Sequence, residues 1–331
     1  MRYLALFTLF AALSLAAADG YRFMTLPPER EGREKIVTIA KGESVRTIAR
    51  RLENENILRS DWRFRILIRF NKMQGSVQAG EFALRTDLSP YEVLRKLTSG
   101  QGVLYRLQII EGSTWWQIRD KAEATGLVTG ESVESAIRDP ELLARFQIPH
   151  ATAEGFLFPE TYHVSRPRNK NGRGLVVLFL ETFQRQTRDL DWEAPLPVPL
   201  TRPEIITLAS LVEKETGRAD ERARIAGVYL NRLKRGMLLQ CDPTIIYGLG
   251  PEFNGNLTRK NLRDSSNPYN TYRHKGLPPG PICSPGLASI KAVLHPEEHE
   301  FLFFVSTGDG SHIFNTTLRG HNRAVRRYQL R

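Results

Sequence analysis

Apolar residues recur along this chain in blocks whose spacing changes, and the changes mark the elements. An almost unbroken apolar run extends from Tyr3 to Ala18, interrupted only by Thr8 and Ser14. A run with no polar face predicts a hydrophobic N-terminal helix, within residues 1–20, rather than an amphipathic one. Residues 19–35 are charged, carry Pro27-Pro28, and read as a connector. Ile36-Val37-Thr38-Ile39 is then rich in β-formers, Lys41-Gly42-Glu43 turns, and Ser44 caps a helix with Val45, Ile48, Ala49 and Leu52 at helical spacing. The same strand, turn and helix recur twice. One copy is Leu107–Ile110 before a helix bearing Trp115, Ile118 and Ala122. The other is Gly80–Leu84 before a helix that Ser89-Pro90 opens, bearing Val93, Leu94 and Leu97.

Helical spacing returns over 131–146, with a break at Pro140, and over 175–188. Between them lie Ala153–Tyr162 and a basic excursion, Arg166–Arg173. Pro195-Leu196-Pro197-Val198-Pro199 is a stiff connector. Thr201-Arg202-Pro203-Glu204 forms a capping box for a helix running through Leu208, Leu211 and Val212 to Thr216, which Gly217 closes. Asp220 caps a further helix that ends at Gly236. The chain from Leu239 to Ile282 then reads as long loops rich in Asn, Thr, Tyr, Pro and Gly. Such loops offer fixed amide and hydroxyl donors beside aromatic faces, which suits a sugar chain. The pattern as a whole predicts an α+β protein.

Composition changes this picture little. At 331 residues, with 41% hydrophobic and 25% charged, the chain should form two or three ordinary globular units. The net charge of +11 suits an anionic partner, a polymer or lipid, or simply a basic surface. No P-loop, zinc knuckle or RNA-binding aromatic pair accompanies it, so nucleic acid is not expected. Cys241 and Cys283 make neither a disulfide framework nor a metal pair, and are expected as buried thiols. The seven histidines show no metal-binding spacing, so neither metal nor cofactor is expected.

Two acidic residues carry the candidate chemistry. At 100° per residue Glu215 falls between Leu208 and Leu211 on the apolar face of the 201–216 helix, while Glu213 lies on its other flank near Ile206 and Ala209. A carboxyl group drawn into an apolar site resists ionisation, as a general acid must near neutral pH. The spacing leaves either glutamate open, as acid or as a rim residue. Of Trp115 and Trp116, one belongs to the core and the other is free to stack on a sugar.

Five separated motifs then resemble one family. Val212-Glu213-Lys214-Glu215-Thr216, Asp242-Pro243-Thr244-Ile245-Ile246-Tyr247-Gly248, Tyr269-Asn270-Thr271-Tyr272, Gly276-Leu277-Pro278-Pro279-Gly280 and Phe314-Asn315-Thr316 are similar to those of the MltG/YceG-like endolytic murein transglycosylases. Thr38–Leu52 resembles the LysM-type wall-binding module. The resemblance implies an N-terminal anchor or signal segment over 1–20, a LysM-like subdomain over 36–103 and a catalytic domain over 104–331. It implies Glu215, the second glutamate of its motif, as the catalytic acid, with Gln240, Asn270, Thr271 and Tyr272 holding substrate and Glu213 or Glu160 as a supporting carboxyl. The implied partners are peptidoglycan glycan strands, peptidoglycan synthases and, through the N-terminal helix, the inner membrane. The catalytic domain would then lie in the periplasm; cleavage after Ala16-Ala17-Ala18 would instead release a soluble periplasmic protein. The departures from the family are Cys241, where relatives often carry a small polar residue and of which no chemical part is expected, and the N-terminal hydrophobic run, which is short for a membrane span. The competing class is a non-catalytic wall-binding scaffold, which the basic charge and the LysM-like segment would equally serve.

Overall fold

The computed structural model describes residues 2–73 and 75–329, which divide into two units. Of the described residues, the first comprises those up to 105 together with 163–166, and the second 106–162 together with those from 167 onward. In the first, β1 (Glu34–Ile39) pairs antiparallel with β2 (Gly80–Arg85), Val37 lying opposite Phe82. Alternation along β1 turns Val37 and Ile39 inward. α2 (Val45–Asn54) and α3 (Asp61–Phe70) lie between the strands in sequence, and α4 (Pro90–Thr98) follows β2. Ser44 accepts the Thr47 N–H to start α2, and Ser89 with Glu92 completes a capping box on α4. Ile48, Leu52, Phe64, Leu84, Leu94 and Leu97 close the core. α3 was not foreseen, although Ser60-Asp61 precedes it and Phe64, Leu67 and Ile68 supply its buried face.

α1 (Arg2–Thr25) carries the N-terminal apolar run, and Tyr3, Leu4, Phe7, Phe10 and Leu13 along it are exposed. Among the described residues no helix is long and apolar enough to cross a membrane.

The chain passes from the first unit to the second within β3 (Tyr105–Gln108), continues through α5 (Trp115–Ala124), α6 (Gly130–Ile137) and α7 (Pro140–Arg145), and crosses the division again within β4 (Thr161–Val164). The expected break at Pro140 separates α6 from α7. Next are α8 (Arg173–Thr187), α9 (Arg202–Glu215), α10 (Arg222–Lys234), α11 (Asp242–Leu249), α12 (Arg259–Arg263) and α13 (Leu287–Leu294). The hairpin of β5 (Phe303–Ser306) and β6 (His312–Asn315) and the helix α14 (Leu318–Tyr328) complete the second unit.

α9 is the axis of this unit. The Thr201–Glu204 capping box starts it, every residue from Ile205 to Val212 is buried, and α10, α11 and α13 all pack against it. Burial all round a helix is what a central position requires. Beyond its end Gly217 approaches the β5–β6 turn so closely that a Cβ there would collide with the Gly310 carbonyl. Two expectations need correction. Asp220 is not the cap of α10: it sits in a 3-10 turn, Ala219–Glu221, paired with Arg218, and Glu221 holds the cap position. The stretch from Leu239 to Ile282 is not continuous loop, because Asp242-Pro243 opens α11 and Thr258 with Asn261 forms a capping box on α12.

Candidate active site

Glu215 is the last residue of α9, half-buried, at a cleft of about 410 Å³. Asp242 and Pro243 at the start of α11, Tyr272, Phe304 of β5 and His312 of β6 line the same cleft. Burial raises the Glu215 pKa above the ordinary carboxyl value, and the negative charge of Asp242 raises it further. The Cys241 thiol donates to Glu215 Oε1 at 3.3 Å and opposes the rise, as do the charges of His312 and Arg232. Burial and the neighbouring Glu215 push the Cys241 thiol well up, so it stays a donor. Cys241 is therefore in contact with the candidate acid, a part the sequence reading did not give it. Both Cys241 and Cys283 are free and buried, as expected.

The surroundings of Glu215 are held by groups that do not compete for it. Arg232 spends its donors on backbone carbonyls, Nε to Leu302 O at 2.6 Å and Nη1 to Leu239 O at 2.7 Å. His312 Nδ1 meets Glu221 Oε2 at 2.7 Å, and the His312 N–H donates to Glu221 Oε1 at 3.0 Å. The Tyr272 hydroxyl donates to Asp242 Oδ1 at 2.6 Å. The outcome is a carboxyl disposed to remain protonated, open to a cleft, beside a fixed imidazole and a fixed carboxylate. Asp242, Arg232, Glu221 and His312 were not foreseen. Asp242 lay inside a quoted motif, and His312 sits two residues before another, but long-range pairs such as Glu221 with His312 leave no local trace.

The other expected residues separate into two groups. Gln240 and Tyr272 line the cleft, Gln240 with its backbone in the left-handed region at φ 50°. Asn270 and Thr271 do not reach it. Asn270 is fully buried, its Nδ2 donating to Asp264 O at 2.7 Å, Asn261 O at 3.1 Å and Leu262 O at 3.3 Å. Thr271 Oγ1 accepts the Cys241 N–H at 3.0 Å, and its carbonyl accepts the Gln240 N–H at 3.1 Å. These two thus shape the loop that presents Gln240 and Cys241, acting one layer behind the cleft. Glu213 points elsewhere: its Oε2 accepts the Gly286 N–H at 2.9 Å and the Ser289 hydroxyl at 2.7 Å. Glu160 is exposed and takes a bond from Gln186 at 3.2 Å, away from the cleft lining.

A second buried carboxyl had no place in the sequence reading. Glu154 is 1% exposed; Oε2 accepts the Trp115 N–H at 3.0 Å and Oε1 the Gly155 N–H at 3.2 Å. Burial pushes its pKa up to about 8 against the pull of those two bonds and of Tyr247. Trp115 belongs to the core, while Trp116 is half-buried and stacks on Tyr247 with centroids 4.9 Å apart. An acid set among Ala153, Phe156, Leu157 and Phe158 was the available signal. Among the described residues no group of three or more His, Cys, Asp or Glu is placed to hold a metal ion.

Residues 37–327 match the model of the YceG-like family. The chain is 28% identical over 325 residues to the Bacillus subtilis protein named endolytic murein transglycosylase, covering 91% of this chain and 87% of that one. It is 28% identical to the Streptococcus pneumoniae protein of the same name, covering 95% of this chain and 63% of the longer relative. The crystal structure of a yceG-like protein from Listeria monocytogenes matches with a TM-score of 0.58 at 29% identity, over 89% of this chain and 100% of that one.

Proposed function

The chain belongs to the YceG-like family, and from that premise we propose that it is an endolytic peptidoglycan lytic transglycosylase with Glu215 as its acid and base. The observation that carries the reading is a single proton-retaining carboxyl at the end of a buried helix, open to a cleft. The name borne by the Bacillus and Streptococcus relatives supports it and supplies the substrate class.

The reaction needs one residue in two protonation states. Protonated Glu215 donates to the glycosidic oxygen between N-acetylmuramic acid and N-acetylglucosamine. The resulting carboxylate takes the proton from the muramic C6 hydroxyl, whose oxygen closes on C1 as a 1,6-anhydro ring. The substrate supplies its own nucleophile, so the second carboxyl that hydrolytic glycosidases normally need is not required. No water is consumed. General acid–base action of this type contributes about 10² to 10⁴-fold. Gln240 and Tyr272 touch the strand in this reading, while Asn270 and Thr271 position Gln240 and Cys241. Cutting of nascent strands in this way would terminate glycan elongation, with peptidoglycan synthases as the partners that supply them. The first unit serves as a LysM-like glycan holder, and α1 directs export and tethers the protein at the inner membrane with its catalytic unit in the periplasm.

Asp242 lines the same cleft and favours one second reading, hydrolysis to a reducing end with Asp242 as the base for water. Purified glycan strands treated with the protein and analysed by mass spectrometry decide between them. Anhydro-ended products, lighter by one water and absent with Glu215→Gln, are expected. Reducing-end products would establish hydrolysis. Sacculus binding by a folded sample without soluble products would establish the scaffold. Anhydro ends that persist undiminished in Glu215→Gln would remove Glu215 from its role.

A further inference from the structure

α3 presents two opposite faces. Phe64, Leu67 and Ile68 are buried in the core of the first unit, but Trp62, Ile66 and Phe70 are 55%, 57% and 84% exposed. Spaced four apart, these three fall on one arc of about 80° of the helix surface. Guanidinium groups border that arc on both sides: Arg65 and Arg69 on one, Arg63 on the other. Arg63 lies over the rings of Trp62 and Phe23, at 5.7 and 5.0 Å, and pairs with Asp19; Arg65 pairs with Asp61 at 3.4 Å. Lys72, also exposed, follows the helix. The stripe does not end with α3. Trp62, Ile66 and Phe70 line one cavity of about 560 Å³ together with Ala16, Ala17 and Gly20 of α1, whose own apolar run toward Tyr3 is exposed.

A contiguous apolar patch whose rim is mainly cationic, with Arg63 and Arg65 set against Asp19 and Asp61 and with Arg69 and Lys72 exposed beside it, marks an interaction surface rather than ordinary exposure. The rim selects the partner. Cationic side chains flanking aromatic and aliphatic groups match an anionic bilayer, where apolar groups enter the headgroup–acyl boundary and guanidinium groups meet phosphates. At ten residues α3 is about 15 Å long, half the hydrocarbon thickness, so it must lie along the surface. We propose that α3 is an interfacial helix, which seats the first unit on an anionic phospholipid bilayer through Trp62, Ile66 and Phe70, with Arg63, Arg65 and Arg69 on the lipid phosphates. This contact adds to any tether through α1 and is independent of the reaction assigned to Glu215. It would hold the first unit against the bilayer rather than leave it free on a connector.

The full chain is reconstituted with vesicles of phosphatidylethanolamine and phosphatidylglycerol whose acyl chains are brominated, and tryptophan quenching is compared with that of Trp62→Phe. Of the four tryptophans, only Trp62 lies on this surface, so the quenched fraction should fall in Trp62→Phe. It should fall also in wild-type protein when zwitterionic phosphatidylcholine replaces phosphatidylglycerol. The double variant Ile66→Ser, Phe70→Ser should lower the quenching with an unchanged circular dichroism melt, since both side chains are exposed. Equal quenching of wild type and Trp62→Phe would overturn the proposal, and so would insensitivity to lipid charge. An oligomer that the double variant dissociates, without bromine quenching of Trp62, would assign the stripe to a second copy instead.

Discussion

Glu215 and Glu154 are both carboxyl groups that burial drives toward the neutral form, but they sit in opposite settings. Glu215 ends a helix at an open cleft and receives one weak thiol hydrogen bond. Glu154 is sealed beside the start of α5 with a backbone N–H on each oxygen. Burial alone therefore does not identify a catalytic acid. What separates the two is access to a substrate and carboxyl oxygens that no backbone donor already occupies. Glu213, two residues from Glu215, makes the same point from the other side, because two donors already occupy its carboxylate.

The contrast predicts first that Glu215→Gln lowers turnover of glycan strands by about 10² to 10⁴-fold, with the thermal melt retained. Glu154→Gln, where folded, should keep most of the activity. Equal losses in the two variants, both folded, would collapse the distinction. The second effect is on stability. The folded pKa of Glu154, about 8, lies above its unfolded value of 4.5. Its contribution is thus fully present below about pH 4.5 and is lost as the pH rises to about 8. The slope is about 1.4 kcal/mol per pH unit within that window. Urea unfolding of wild type and Glu154→Gln across pH 5 to 8, values chosen to sample that window, should show the two curves converging or crossing as pH rises; parallel curves would refute the buried, protonated state.

Third, Glu213→Gln should cost about 1 to 3 kcal/mol by disturbing the Gly286 and Ser289 bonds, with turnover per folded molecule unchanged. A large loss of turnover would return Glu213 to the reaction. The smallest effect concerns Cys241. Activity that needs protonated Glu215 must fall as pH rises through its raised pKa. Cys241→Ala removes the donor that lowers this pKa, so the alkaline limb should move to higher pH. Cys241→Ser supplies a stronger donor and should move it lower. Limbs that coincide would mean that the thiol does not influence the acid.

The elements that position the site were legible where local chemistry writes them. The Thr201–Glu204 capping box and the apolar run to Val212 located α9 and hence Glu215. Ser44 and Ser89, each a capping residue, marked two more helices. α11 was missed because its eight residues begin with Asp242-Pro243, which reads equally as a turn. Asn270 and Thr271 were read as substrate contacts because amides and hydroxyls in loops serve both substrates and the loops themselves. Only the structure shows their bonds to Asp264 and Cys241. The surroundings of Glu215 come from β5, β6, α10 and α11, so their assembly depends on tertiary pairing that no window of sequence contains.

The termination of α9 at Glu215 has one more consequence. The peptide dipoles of a helix sum to a partial negative charge at its C-terminal end, which disfavours an anion there by about 0.3 to 1 kcal/mol. A carboxylate is ordinarily a poor choice for that position, but for a group that must hold a proton until substrate arrives the penalty has the useful sign. In the proposed reaction, where the helix stops is therefore part of the chemistry. Extending it through Thr216 and Gly217 would move the acid away from the helix end, and a side chain at 217 would strike the Gly310 carbonyl. Thr216, whose extended backbone ends the helix, thereby also sets the polarity of the field in which Glu215 titrates.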